Sequence, residues 1–329
     1  MSLSKKKTAQ GDQDISTRYV DVQPHYHWGI ALWALHTHIY TQYARSPRLA
    51  VLSPVHESGK STVLNVLEAL VWNYKRMSDP SVASIYRLAS SHTLLIDEVD
   101  NMPITKNMRS ALNDGDSRGA SVTRAEKDGV KTYQIYGPVA LSGIGRLPVT
   151  LMSRSVIINI YRSAKAMPKF GSGEHYFASK LHDWAKQVNL NQDPQMPTQC
   201  IGRKGDKWRS LIAIADSFDR GQKAREVALQ FINEGYKPDI KEQVLRDTQK
   251  VFNLAKTNIL TTDALYQKLL EDTEGEYEVD YVEEKITKRV IGNHLSDFRI
   301  RSRPHRYEGN APQKCWFKED FEEMWKRYK

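Results

Sequence analysis

The chain has 329 residues, enough for two or three domains with a sizeable core. Hydrophobic residues make up 40% of it, mean hydropathy is −0.59, and no apolar run is long enough to cross a bilayer. That pattern predicts a soluble globular protein with no membrane partner. The net charge of +9 favours a polyanionic partner, and two cysteines, Cys200 and Cys315, with neither metal spacing nor a disulfide framework predict a reducing cytoplasm.

Residues 1–17 open with Ser4-Lys5-Lys6-Lys7 and stay polar, which reads as a disordered basic tail with no hydrophobic secretory segment. From Pro24 to Tyr43 the sequence predicts one helix, with Trp28, Leu32, Leu35 and Ile39 recurring as a single buried face. The same helix carries His25, His27, His36 and His38. His36 and His38 are two apart and face different directions, and no cysteine or carboxylate joins them in sequence, so packing is the better reading than a metal site.

Leu49-Ala50-Val51-Leu52 then reads as a strand, followed by the loop Ser53-Pro54-Val55-His56-Glu57-Ser58-Gly59 and a helix that carries Val63 to Tyr74. A second apolar run, Thr93-Leu94-Leu95-Ile96, ends in Asp97-Glu98. Strand, phosphate-sized loop, helix and acid-tipped strand is the pattern of a P-loop nucleotide-binding unit. Unpaired N–H groups at a helix start, reinforced by the helix dipole, hold a triphosphate, so Ser58, Gly59, Lys60, Ser61 and Thr62 are the expected cradle for ATP. Lys60 would neutralise the β/γ oxygens, Ser61 and Asp97 would hold Mg²⁺, and Glu98 would polarise the attacking water. Pro54 stands where the pattern has its first glycine, which bears on turnover more than on binding.

Asp79 to Leu88 and Pro103 to Asn113 are expected helices. Ser121–Glu126 and 130–136 alternate about an Asp128-Gly129 turn and predict a hairpin. Strands follow at 138–143 and 156–160. In ring-forming ATPases of the AAA+ class a strand in the first of these places ends in a polar sensor beside the γ-phosphate, a position that Ser142 resembles. Leu151-Met152-Ser153-Arg154-Ser155 resembles the motif whose arginine reaches a neighbour's nucleotide, with Arg146 as its nearest rival. The hairpin resembles the pore hairpin of superfamily 3 and minichromosome-maintenance helicases, with Arg124, Lys127 and Lys131 placed to meet DNA; a solvated ribbon is the alternative.

Residues 18–161 thus form the expected ATPase core and 162–237 a helical lid, where Arg209 is either a second sensor or a surface arginine. Residues 238–329 have another grammar. Helices end in one capped by Thr287, with Ile291, Leu295 and Phe298 inward, and a basic hairpin follows, which together describe a winged helix. Lys288 and Arg289 would face DNA from the recognition helix, and Arg301, Arg303 and Arg306 from the wing. A protein-docking module is the alternative.

With these blocks in place, the chain resembles a family of phage-, plasmid- and island-borne ATPases known only as a domain of unknown function, often found beside primase modules. The resemblance rests on 31–38, Ser46-Pro47-Arg48-Leu49 with Gly59-Lys60-Ser61, Leu94 to Glu98, Gly145-Arg146-Leu147-Pro148, Ser153-Arg154-Ser155, and Lys207 to Leu211 with 213–216. It implies a DNA-replication ATPase of mobile elements, with a primase or replication protein as a further partner. The expectation is an α/β P-loop fold with a lid and winged helix, acting as an ATP- and Mg²⁺-dependent DNA helicase or translocase in a homo-oligomeric ring. The alternatives are a helicase loader that never unwinds and an ATP-binding protein without turnover.

Overall fold

The computed structural model describes residues 16–127, 129–171, 177–235, 240–271, 287–306 and 311–328. The chain divides into two compact units, Met1–Gly235 and Tyr236–Lys329.

The first unit contains α1 (Pro24–Thr37), β1 (Arg48–Ser53), α2 (Lys60–Leu70), β2 (Tyr74–Ser78), α3 (Val82–Leu88), β3 (Thr93–Asp97) and α4 (Lys106–Asp114). It continues with β4 (Ser121–Glu126), β5 (Gly129–Gln134), β6 (Val139–Ile144), α5 (Val149–Met152), β7 (Ser155–Asn159), α6 (Phe177–Gln187), α7 (Arg203–Asp216) and α8 (Gly221–Gly235). Five strands form one parallel sheet in the order β2-β3-β6-β1-β7. Successive residues of a strand point to opposite faces, so a sheet covered on both sides needs apolar residues at nearly every position. Leu49, Val51, Leu95, Ala140, Val156 and Ile158 join the core shared with α1, α2, α7 and α8. Ala50, Leu52, Leu94, Ile96, Val139 and Leu141 join the opposite core with α3, α4 and α5. The result is an α/β fold with helices on both faces of a parallel sheet, compatible with a P-loop-like domain.

Several boundaries differ from the sequence reading. The expected basic tail lies outside the described residues as far as residue 15; Ser16 is buried and its hydroxyl meets His27 Nδ1 at 3.0 Å. Helix α1 stops at Thr37 because its last turn tightens: His38 and Ile39 bond three residues back, to Leu35 and His36. It is buried nearly all round instead of on one face, since β7 lies on one side and α7 and α8 on another. Helix α2 ends at Leu70, where Val71 turns extended, and the expected helical residue Tyr74 instead opens β2. Helix α3 starts at Val82, after Pro80, because the Ser81 hydroxyl caps it by accepting from Ser84 N at 3.1 Å. The hairpin β4–β5 pairs antiparallel with Arg124 opposite Lys131; Asp128 of its turn lies outside the described residues.

The second unit contains α9 (Ile240–Ala255), β8 (Ile259–Thr261), α10 (Thr262–Glu271), α11 (Lys288–Asp297), β9 (Arg303–His305), β10 (Gln313–Phe317) and α12 (Glu322–Arg327). Phe252, Leu265, Leu295, Trp316, Phe321 and Trp325 are among its core residues. Thr287 caps α11 as its sequence predicts, accepting from Val290 N at 3.3 Å. The sheet has three antiparallel strands, β8-β10-β9, rather than two, because Ile259 to Thr261 pair with 315–317. Residues 307–310 of the expected wing turn lie outside the described residues.

Candidate nucleotide site and its surroundings

The loop between β1 and α2 leaves the sheet at its carboxyl end, where α/β proteins bind ligands. Gly59 has φ +93°, a left-handed conformation that favours glycine, and it turns the chain directly into α2. Gly59 at the N-cap has no side chain to accept from the first N–H groups of that helix. Lys60 reaches back across the loop, Nζ donating to Ser53 Oγ at 2.7 Å. Ser58 turns inward instead: its hydroxyl donates to Val55 O at 2.8 Å and braces the loop. Arg162, just beyond β7, lies 3.7 Å from the Glu57 carboxylate.

Strand alternation puts Ser53, Asp97 and Ser142 on the α2 side of the sheet. Asp97 is buried; Oδ1 accepts from Glu98 N at 3.0 Å and Oδ2 from Arg76 Nη2 at 2.6 Å. Glu98 is exposed with φ +52°, an uncommon conformation for a non-glycine residue that turns the chain sharply after the strand. Its carboxylate accepts from Asn101 Nδ2 at 3.3 Å. Ser142 is buried on β6 between β1 and β3, and its hydroxyl has no hydrogen-bond partner among the described residues. A buried hydroxyl without a partner is what a polar ligand or water would satisfy.

The donor set fits a nucleotide with Mg²⁺. A helix start led by Gly59, a lysine and a hydroxyl, Ser61, follow the carboxyl end of β1, and the Asp97 carboxylate ends β3, across β6 on the same side of the sheet. Among the described residues no three His, Cys, Asp or Glu side chains converge as a metal cage, but Mg²⁺ held by phosphates needs only one or two carboxylates.

Of the candidate arginines, Arg154 and Arg209 are paired within the chain. Arg154 precedes β7, at the amino end of the sheet; its Nε lies 3.2 Å from the Asp116 carboxylate and its Nη1 donates to Thr150 O at 2.8 Å. Arg45 holds the same aspartate at 2.9 Å. These residues line a cavity of about 70 Å³ with Arg203, Asp206 and Lys207. Burial pushes the Lys207 ammonium down to about 8, and Nζ donates to Ser155 O at 3.0 Å. Arg209 on α7 pairs with Asp193, and Arg146 is exposed.

The expected DNA contacts are mixed. Arg124 donates to Tyr86 Oη at 2.6 Å and lies 5.0 Å over that ring, which packs the hairpin against α3. Lys131, opposite it, lies 5.1 Å from the Tyr133 ring, and Lys127 is exposed near the turn beside the 76% exposed Val130. In the second unit Lys288 pairs with Asp263, and Arg303 pairs with Glu319 and Asp320 while stacking on Phe317 at 3.9 Å. Arg289, Arg301 and Arg306 are exposed. Arg303 is therefore committed to its own unit, because two carboxylates and an aromatic face surround it. Sequence reasoning missed Arg76, Asp116 and Asp193, whose partners lie on other elements of the fold.

The sheet and its flanking helices define an α/β protein, compatible with a P-loop-like domain. A family profile described as "Protein of unknown function (DUF3631)" matches residues 158–328, and the chain belongs to that family. No curated protein matches it. Similar solved structures include two of the NrS-1 C-terminal region, both in its apo A form. The first is 9% identical with a TM-score of 0.49, covering 96% of this chain and 76% of the other. The second is 9% identical with a TM-score of 0.47, covering 94% and 75%. No helix among the described residues is long and apolar enough to cross a membrane.

Proposed function

We propose that this chain is a Mg²⁺-dependent ATPase of mobile-element DNA replication, working as a helicase or translocase with its nucleotide sites between subunits. The observation that carries the reading is a convergence on one face of the sheet. The glycine-led start of α2, Lys60 reaching back to Ser53 at the end of β1, and Asp97 at the end of β3 lie on one side of the sheet, an arrangement that supports a triphosphate with its metal.

Backbone N–H groups of 60–62 would hold the phosphates, and Lys60 would leave Ser53 to neutralise the terminal oxygens. Ser61 and Asp97 would hold Mg²⁺, which supplies charge neutralisation at the transferring phosphoryl group. Glu98 would orient water, and the partnerless Ser142 hydroxyl would meet a phosphate or that water. Arg154 would act on a neighbour's nucleotide once released from Asp116, with exposed Arg146 as the other candidate. DNA would meet the hairpin tip around Lys127 and the second unit, a winged helix on this reading, through Arg289, Arg301 and Arg306.

One observation favours the alternative of a loader or assembly switch: Arg154 is held by Asp116 inside its own subunit. Two assays decide. Lys60→Ala should lower phosphate release by at least ~100-fold, since the lysine contacts the transferring group. Strand displacement on forked DNA by the wild type separates a motor from a loader, and a wild type that releases no phosphate with or without DNA overturns the ATPase reading.

A further inference from the structure

Arg76 has no counterpart in the sequence reading, yet it touches the residue proposed to serve the metal. It sits on β2, in register with Leu95 of β3, two residues before Asp97. Its Nη2 donates to Asp97 Oδ2 at 2.6 Å, and its Nη1 donates to Asn65 Oδ1 at 2.8 Å and Glu68 Oε1 at 3.1 Å. Asn65 lies four residues beyond Ser61 on α2 and Glu68 three further, so all three share one helix face. The guanidinium therefore ties the carboxylate at the strand tip to the flank of the helix whose first turn is the phosphate cradle. With Oδ1 taken by Glu98 N–H and Oδ2 by Arg76, the Asp97 side chain has one fixed orientation.

We propose that Arg76 is the positioning residue of the metal-binding carboxylate, fixing Asp97 relative to Ser61 and thereby setting the site's affinity for Mg²⁺. The inference rests on the nucleotide-site reading above. The geometry opposes a blocking role. Arg76 approaches Asp97 from the amino side of β3, and its anchors lie one and two turns down α2, away from the helix start where phosphates would sit. A planar fork that serves three acceptors in two directions is an arginine property; a lysine offers a single point charge. Groups that hold a metal ligand from behind commonly tune affinity without touching the ion.

The test measures binding of a fluorescent ATP analogue while Mg²⁺ is titrated, and again in excess chelator, for the wild type, Arg76→Gln, Arg76→Lys and Asn65→Ala. Arg76→Gln should raise the Mg²⁺ concentration for half-saturation ~10–100-fold. Its metal-free nucleotide affinity should stay within about twofold of wild type, because the arginine does not contact the phosphate cradle. Arg76→Lys should recover only part of the loss, and Asn65→Ala should shift metal affinity less, in the same direction. An Arg76→Gln variant with unchanged or tighter Mg²⁺ dependence overturns the proposal, the second outcome marking the arginine as a competitor of the metal. Thermal melting separates misfolding from this effect, since a merely structural role would weaken metal-bound and metal-free binding together. A wild type whose nucleotide binding ignores Mg²⁺ altogether overturns the metal-site reading instead, independently of how the variants compare.

Discussion

Three histidines on α1 and a fourth, His38, just past its end invite a metal site, yet each has its own partner. His25 Nε2 lies 2.8 Å from Glu234, His27 Nδ1 3.0 Å from Ser16 Oγ, His36 Nε2 3.0 Å from Ser46 Oγ, and His38 Nε2 2.8 Å from Leu70 O. Burial lowers His27 and His38 to about 4 and His36 to about 3. The unfolded chain, with histidines near their ordinary value, binds protons before the folded one does. The neutral-buried contribution is therefore complete above that value and is lost as pH falls towards the folded values. Between about pH 7 and pH 5 each of the three should cost about 2 kcal/mol of stability, read as a fall in urea midpoint. The i, i+2 spacing of His36 and His38 already argued against a shared ion. The individual partners were not legible, because Ser46 and Leu70 become neighbours only through tertiary packing.

At the scale of elements, legibility followed burial. Strands β1, β3, β6 and β7 show apolar residues on both faces, which a covered parallel sheet requires. Strand β2 is Tyr-Lys-Arg-Met-Ser at the sheet edge, with no apolar run to signal it, and its arginine became visible only with the fold. The Asp97-Glu98 tip was readable, but what holds the following turn was not. Val99 N donates to Ser142 O at 2.9 Å, and Asp100 Oδ1 accepts from Ile144 N at 2.8 Å, so the turn closes over the end of β6. Gly143 permits that closure: an added Cβ would stand 2.7 Å from Val99 Cγ2 and 2.8 Å from Asp100 Oδ1. Gly143→Ala should cost about 1–3 kcal/mol in urea unfolding. On the proposed chemistry its phosphate release should fall more than its ATP binding, since the displaced segment carries Glu98 and not the cradle.

On the proposed function the first unit has two working ends. The cradle leaves the carboxyl ends of the strands, whereas Arg154 and its basic cavity stand at the amino end, one strand length away. Five residues of β7 separate Arg154 from Ile160, about 20 Å of extended chain and beyond an arginine's reach. On the proposed function, therefore, Arg154 acts only on another subunit's nucleotide, across a head-to-tail interface. Lys60→Ala and Arg154→Ala proteins should each be inactive alone, the second still binding ATP. Mixed in equal amounts, they should regain activity, because roughly a quarter of the interfaces then pair an intact Lys60 with an intact Arg154. Recovery should peak near equal proportions and vanish when either protein dominates, as measured by phosphate release across a series of mixing ratios. If Arg154 only braces Asp116, its variant should melt at lower temperature, and no ratio should restore turnover to the mixture.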